Sequence, residues 1–272
     1  MSQAMEDRVI DVVQRPDGKI IRFEDSPRWV RVVFAGRVIA DSKRVKLMFE
    51  PGRLPVYYFP ADDVRMDLML PSKHTTDSPH KGTASYWNVK VGDRVAENAC
   101  WRYLDPPSQT KQIRDYVAFY WDRMDAWFEE DDEVLLHPRD PYHRVDVANS
   151  SRHVLVNIDG ITVAETRRPR LLFETGLPTR YYIPKLDVRM ELLKPSDTMT
   201  VCPYKGRAVY WSAEVNGKFH ENIVWSYPAP IPECPKIENL LSFFNERVDI
   251  EVDRHLQERA LTQWSEVVSS YG

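Results

Sequence analysis

"YYFPADDVRMDLMLPS" (57–72) and "YYIPKLDVRMELLKPS" (181–196) are one passage written twice, and the 124-residue offset between them organises the chain. With that shift and no gaps, "GRVIADSKRVKLMFEPG" (36–52) falls on "GITVAETRRPRLLFETG" (160–176). "SPHKGTASYWNVKV" (78–91) falls on "CPYKGRAVYWSAEV" (202–215), and "ENACWRYLDP" (97–106) on "ENIVWSYPAP" (221–230). Between 30–128 and 154–252, 36 of 99 positions are identical. Chance does not produce that, so the chain consists of two homologous domains of ordinary size. The expected boundaries are 30–128 and 153–253. An N-terminal extension (1–29, open to a hairpin), a charged, proline-bearing linker (129–152) and a C-terminal piece (254–272) surround them.

Within each repeat the apolar period is mostly two. Val64, Met66, Leu68 and Leu70 alternate with Arg65, Asp67 and Met69, which predicts a half-buried strand. "VRVVFAG", "HVLVNIDG", "SYWNVKVGD" and "VYWSAEVNG" read as strands entering turns. Ile237, Leu240, Leu241 and Phe244 have helical spacing, matched by Ile113, Tyr116, Val117 and Tyr120, so one helix per repeat is expected. A closing strand follows, with Val248, Ile250 and Val252 alternating against acidic residues. Leu256, Ala260, Leu261, Trp264, Val267 and Val268 form a last helical stripe, an amphipathic C-terminal helix. The fold class is mainly β with one helix per repeat, and the duplication suggests a pseudo-twofold pair, open to homodimerisation.

The repeated string "DVRM-x-L-x-x-PS", then "P-x-KG-x-A-x-YW", then "EN-x-x-W-x-Y", resembles the bacterial and fungal family catalogued as domain of unknown function 427, also labelled nucleotidyltransferase-9-like. Two copies joined by "HPRDPYHRVDV" resemble its double-domain form. The resemblance covers residues 30 to 252 and implies a β-tent-like fold, two small antiparallel sheets pitched together. It is the fold of methionine sulfoxide reductase B and of the drug-binding domain of cereblon. Many such domains carry a zinc between C-x-x-C pairs. This chain has no such pair, so no metal and no cofactor is expected, and aromatic packing must hold each tent. Nor is there the Gly-Ser and paired-aspartate pattern of a metal–nucleotide site, so the label carries no expectation of nucleotidyl transfer.

Composition narrows the function. A net charge of −4 gives no general attraction to nucleic acid or an anionic membrane. No stretch is long and apolar enough to span a bilayer. Three unpaired cysteines and an acidic, non-apolar start point to the cytoplasm.

The repeat also screens the chemistry. Cys202 stands where the first copy has Ser78, so a chemistry shared by both repeats does not use a thiolate, and a small buried thiol is the commoner outcome. Lys81-Gly82 and Lys205-Gly206 are in the wrong order for a Walker loop and fit a turn with glycine at positive φ. Arg65 and Arg189 either pair with Asp67 and Glu191 or offer a planar fork to an anionic ligand. Trp87, Trp101, Tyr210, Trp211, Trp225 and Tyr181 are core by default and pocket walls by alternative. Asn222 would add a polar group, and Glu97 or Glu221 is the candidate general acid or base. His137, Asp140 and His143 match no closed zinc spacing.

Two functions follow from different classes. One is a binder of a small polar, anionic or aromatic metabolite; the other is a cofactor-independent lyase, isomerase or hydrolase using Glu with Arg/Lys. A scaffold without ligand is the third. The Cys-Pro-Tyr-Lys-Gly form in the second repeat favours that copy as the functional one.

Overall fold

The computed structural model describes residues 10–14 and 20–265, the side chains from residue 20 onward. It divides into two units, Met1–Arg139 and Asp140–Gly272. Each is built from two antiparallel sheets, the mainly β, tandem architecture expected.

In the first unit the large sheet runs, in spatial order, Ile10–Gln14, Ile20–Asp25, Lys46–Phe49, Val56–Pro60, Tyr116–Phe119, Arg94–Tyr103, Gly82–Val91 and Met69–Ser78. A smaller sheet of four strands is centred on Val30–Phe34 and Ala126–Glu129. Val30, Val32 and Ile39 from the small sheet and Leu47, Phe59, Val89 and Val117 from the large one share one buried cluster. The second unit repeats this plan with a seven-stranded and a four-stranded sheet around Val154, Val156, Ile183, Val224 and Phe243.

The stretches expected to be helices are strands entered through short 3-10 turns. Ser108–Ile113 is such a turn, followed by strand Tyr116–Phe119, and Pro235–Ile237 precedes Leu241–Phe243. The physical reason is that the large sheet is covered on both faces. Leu241 and Phe243 enter the core between the sheets, whereas Ile237 and Leu240 belong to a second cluster on the outer face. Two opposed cores served by one short segment produce an i, i+3, i+4, i+7 spacing without a helix.

Three other expectations are corrected. The stretch through Arg65 is not a strand: Met66–Leu68 is a 3-10 turn, and Met190–Leu192 matches it. Residues 129–152 do not form a free linker. Asp132–Glu133 extends the first unit's small sheet, and Val145–Asn149 is the edge strand of the second unit's large sheet. The C-terminal amphipathic helix is absent from 254–265, where His255–Leu256 pairs with the closing strand and Gln257 N–H donates to Ile250 O at 2.8 Å. Leu256 and Leu261 of the expected apolar stripe are exposed; residues 266–272 lie outside the described residues.

The gapless register also ends at the closing strand. Val32 pairs with Trp127, but its counterpart Val156 pairs with Ile250, one residue short of the 124-residue shift. Trp127 thus takes the place of an isoleucine, and the first unit gains an indole at the mouth described next.

Candidate functional site

The Pro-x-Lys-Gly turn positions the first polar group of the site. Gly82 and Gly206 have φ of +80° and +104°, and a Cβ on Gly206 would lie 3.3 Å from Ala229 O. Only glycine turns the chain there without strain and lets the next strand pass so close. The turn drives each lysine inward: Lys81 is 5% and Lys205 7% exposed. Lys81 Nζ donates to Glu50 and stands 5.4 Å from the centre of the Tyr103 ring. Burial pulls the Lys81 ammonium below its ordinary value, against the attraction of Glu50. Lys205 donates to both carboxylate oxygens of Glu174 at 2.6 Å. His143 is 3.0 Å from the same carboxylate and stacks on Tyr204 at 4.2 Å.

Around Lys81 the first unit opens a cleft of about 490 Å³. Alternation turns Tyr58 on strand Val56–Pro60, Trp101 and Tyr103 on Arg94–Tyr103, and Tyr86 on Gly82–Val91 toward the same face. Tyr120 and Trp121 follow strand Tyr116–Phe119, and Trp127 stacks on Trp121 at 4.3 Å and 7°. With Tyr57 and Phe119, nine aromatic side chains line the cleft, and Leu136, His137 and Pro138 pass along it from the segment after the closing strand. Its hydrogen-bonding edge is a hydroxyl chain, Thr76 to Tyr86 at 3.0 Å and Tyr86 to Tyr120 at 3.2 Å. Burial and the Tyr86 hydroxyl push the Tyr120 phenol up to about 12, so Tyr120 can donate as well as accept near pH 7. Tyr57 OH donates to the buried carboxylate of Glu129 at 2.5 Å.

The second unit keeps the frame and places an arginine against its tryptophan. Trp225 corresponds to Trp101 and donates its indole N–H to Tyr182 OH at 3.1 Å. At the position of Val56, which lines the first cleft, stands Arg180. Its guanidinium is 5.4 Å from the Trp225 ring and 5.5 Å from that of Trp264, in the C-terminal segment. Both terminal nitrogens bond Glu246 at 2.7 Å, and Thr262 donates to that carboxylate at 2.6 Å. Burial alone would raise the Glu246 carboxyl, but the bonds from Arg180 and Thr262 outweigh it and hold it below its ordinary value.

The structure therefore sorts the residues expected from sequence. Lys81 and Trp101 line the first unit's cleft; Lys205 and Trp225 hold the matching positions in the second, and Tyr210 bonds Thr200 at 2.8 Å. Trp87 and Trp211 project from the opposite face and pack against the core between the sheets, as does Tyr181. Arg65 and Arg189 are exposed and paired with Asp67 and Glu191 at 2.6 and 2.9 Å, far from being forks for a ligand.

Glu97 and Glu221 are exposed and do not meet the lysines, which corrects their candidacy as acid or base. The cause is a bulge. Asn98 and Asn222 both have φ of +49°, and the pairing register slips between Trp87 and Val89 and between Trp211 and Ala213. The slip cancels the alternation that would put each Glu on the same face as its Trp. The Asn98 amide N–H donates to Asn88 Oδ1 at 2.7 Å, and that of Asn222 to Ser212 Oγ at 3.0 Å. Asn222 is thus the bulge residue, and its side-chain Nδ2 donates to Thr198 Oγ1 at 3.0 Å.

Cys202 is half-buried beside the second unit's outer cluster, and its carbonyl accepts the Lys205 N–H at 3.3 Å. In the first unit Ser78 Oγ accepts the corresponding bond. Both residues close the turn, and no reaction is needed to account for the thiol. Sequence reasoning points to Tyr57 and Tyr58, which precede a proline, but misses Glu50, Tyr120 and the course of the 136–138 segment, and it favours the second copy over the first. Glu50 recurs as Glu174, a signal that was available in the repeat.

The fold and site define a tandem β-sheet protein with an aromatic cleft in its first unit and, in its second, Arg180 set against the corresponding tryptophan. The family model of a domain of unknown function (DUF427, NTP_transf_9) matches residues 22–130 and again 146–254, and the chain belongs to that family. Comparison with curated proteins gives no match. Among the described residues no helix is long and apolar enough to cross a membrane, and no three His, Cys, Asp or Glu side chains gather as a metal site.

Proposed function

We propose that the first unit binds a small cytoplasmic metabolite in the Lys81–Trp101 cleft. The observation that carries this reading is the cleft itself: about 490 Å³, nine aromatic walls, and polar side chains that include Glu50, Thr76, Asp77 and Lys81. Ligand sites typically have ~300–1,000 Å³ and this mixture of surfaces. The hydroxyl chain and the Lys81–Glu50 pair supply orientation, and the indole and phenol faces supply contact area. The second unit then serves as a structural partner whose site is occupied by its own arginine. Catalysis through Glu97 or Glu221 is not part of the proposal, because neither carboxylate reaches the cleft. A thermal-shift screen of metabolites on the full chain tests it. Compounds that stabilise the wild type should lose that effect in Trp101→Leu and keep it in Trp211→Leu. Stabilisers indifferent to Trp101 would overturn the assignment.

A further inference from the structure

The geometry points to a planar organic cation, an amidinium or guanidinium, as the ligand class of the first unit's cleft; this rests on the binding reading above. The two repeats supply the argument, because one of them shows what its aromatic wall accepts. In the second unit a guanidinium, that of Arg180, lies against Trp225 and Trp264 at 5.4 and 5.5 Å. It is 4% exposed and paired with Glu246, so the wall and that carboxylate together hold a cation out of water. In the first unit Trp101 replaces Trp225 and Val56 replaces Arg180, and both Trp101 and Val56 border open volume. A ligand cation there would take the place the second unit gives to its own side chain.

The remaining charges permit this. Lys81 is matched by Glu50, so the floor carries no net positive charge. Arg53 is exposed at the rim, where solvent screens it. Tyr86 and Tyr120 present hydroxyl oxygens that accept N–H donors. The stacked pair of Trp121 and Trp127 adds electron-rich faces that the second unit lacks at those places, where Asn245 and Ile250 stand.

Benzamidine, benzamide and benzoate share one shape and differ in charge, which makes them the probes. Each is titrated into the full chain, with binding read from tryptophan emission and calorimetry. Benzamidinium should bind at least about fivefold more tightly than benzamide, with benzoate weakest. Val56→Arg, which places the second unit's own cation in the cleft, should weaken benzamidinium by about tenfold or more. Equal or tighter binding of benzamide or benzoate to the wild type overturns the cation assignment, whether or not the variant folds. If that binding is still lost in Trp101→Leu, the cleft remains a binding site for a different ligand class. If none of the three probes binds, the cation inference fails, and the metabolite screen alone decides the wider reading.

Discussion

Replacing Arg180 with methionine keeps a long apolar stem between Trp225 and Trp264 and removes the charge that Glu246 answers. Glu246 is 5% exposed and accepts two bonds from Arg180 at 2.7 Å, so the variant strands a carboxylate in the interior. Breaking one side of a buried pair costs about 3–5 kcal/mol, and loss of the two indole contacts adds about 0.5–2 kcal/mol. The double variant Arg180→Met/Glu246→Leu removes both charges and should return to within about 1 kcal/mol of wild type. The coupling between the sites is therefore at least about 2 kcal/mol. Hydrogen exchange along Gly206–Val215 reads the stability of the second unit separately from the first. The pH dependence has a definite sign. The folded Glu246 carboxyl lies below its ordinary value, so its contribution is present above that value and fades as pH falls through the folded one. The gap between wild type and Arg180→Met should narrow in acid, as the stranded carboxylate protonates. A single variant costing less than about 1 kcal/mol, or a double variant as unstable as the sum of the singles, would refute the reasoning.

Gly206→Ala should cost about 1–3 kcal/mol, since it combines φ of +104° with a Cβ 3.3 Å from Ala229 O, whereas Gly217→Ala, with nothing within 4 Å, should cost about 1 kcal/mol; urea titration compares them. Thiol labelling of the native chain at pH 8 should modify Cys202 first. Cys100 and Cys234 are 0% and 3% exposed, with burial pushing their thiols up to about 12 and about 11, and should react only on unfolding. Glu97→Gln, at an exposed position off the cleft, should change neither stability by more than about 0.5 kcal/mol nor any ligand affinity, whereas Asn98→Ala should cost about 1–2 kcal/mol by straining the bulge.

The duplication made the architecture legible, because 36 matched positions expose which features are framework: the Lys-Gly turn and the tryptophan strand lie where the repeat implies, and the closing strand lies one residue away. Local period failed where the sheet is buried on both faces. Leu241 and Ile237 serve different cores, and a pattern count cannot separate that from one helical stripe. The bulges at Asn98 and Asn222 were invisible for a related reason, since one residue of left-handed backbone reverses every facing beyond it. The choice between copies lay in Val56 against Arg180 and in Trp264, outside the matched region. Only the folded chain shows that these two residues meet.

The most direct test of the cleft is the fluorine NMR spectrum of chain carrying fluorotryptophan at its 8 tryptophan positions, titrated with a stabilising compound or with benzamidine. The account predicts that Trp101, Trp121 and Trp127 shift together while Trp211, Trp225 and Trp264 hold still. Shifts confined to Trp225 and Trp264 would move the site to the second unit and contradict it.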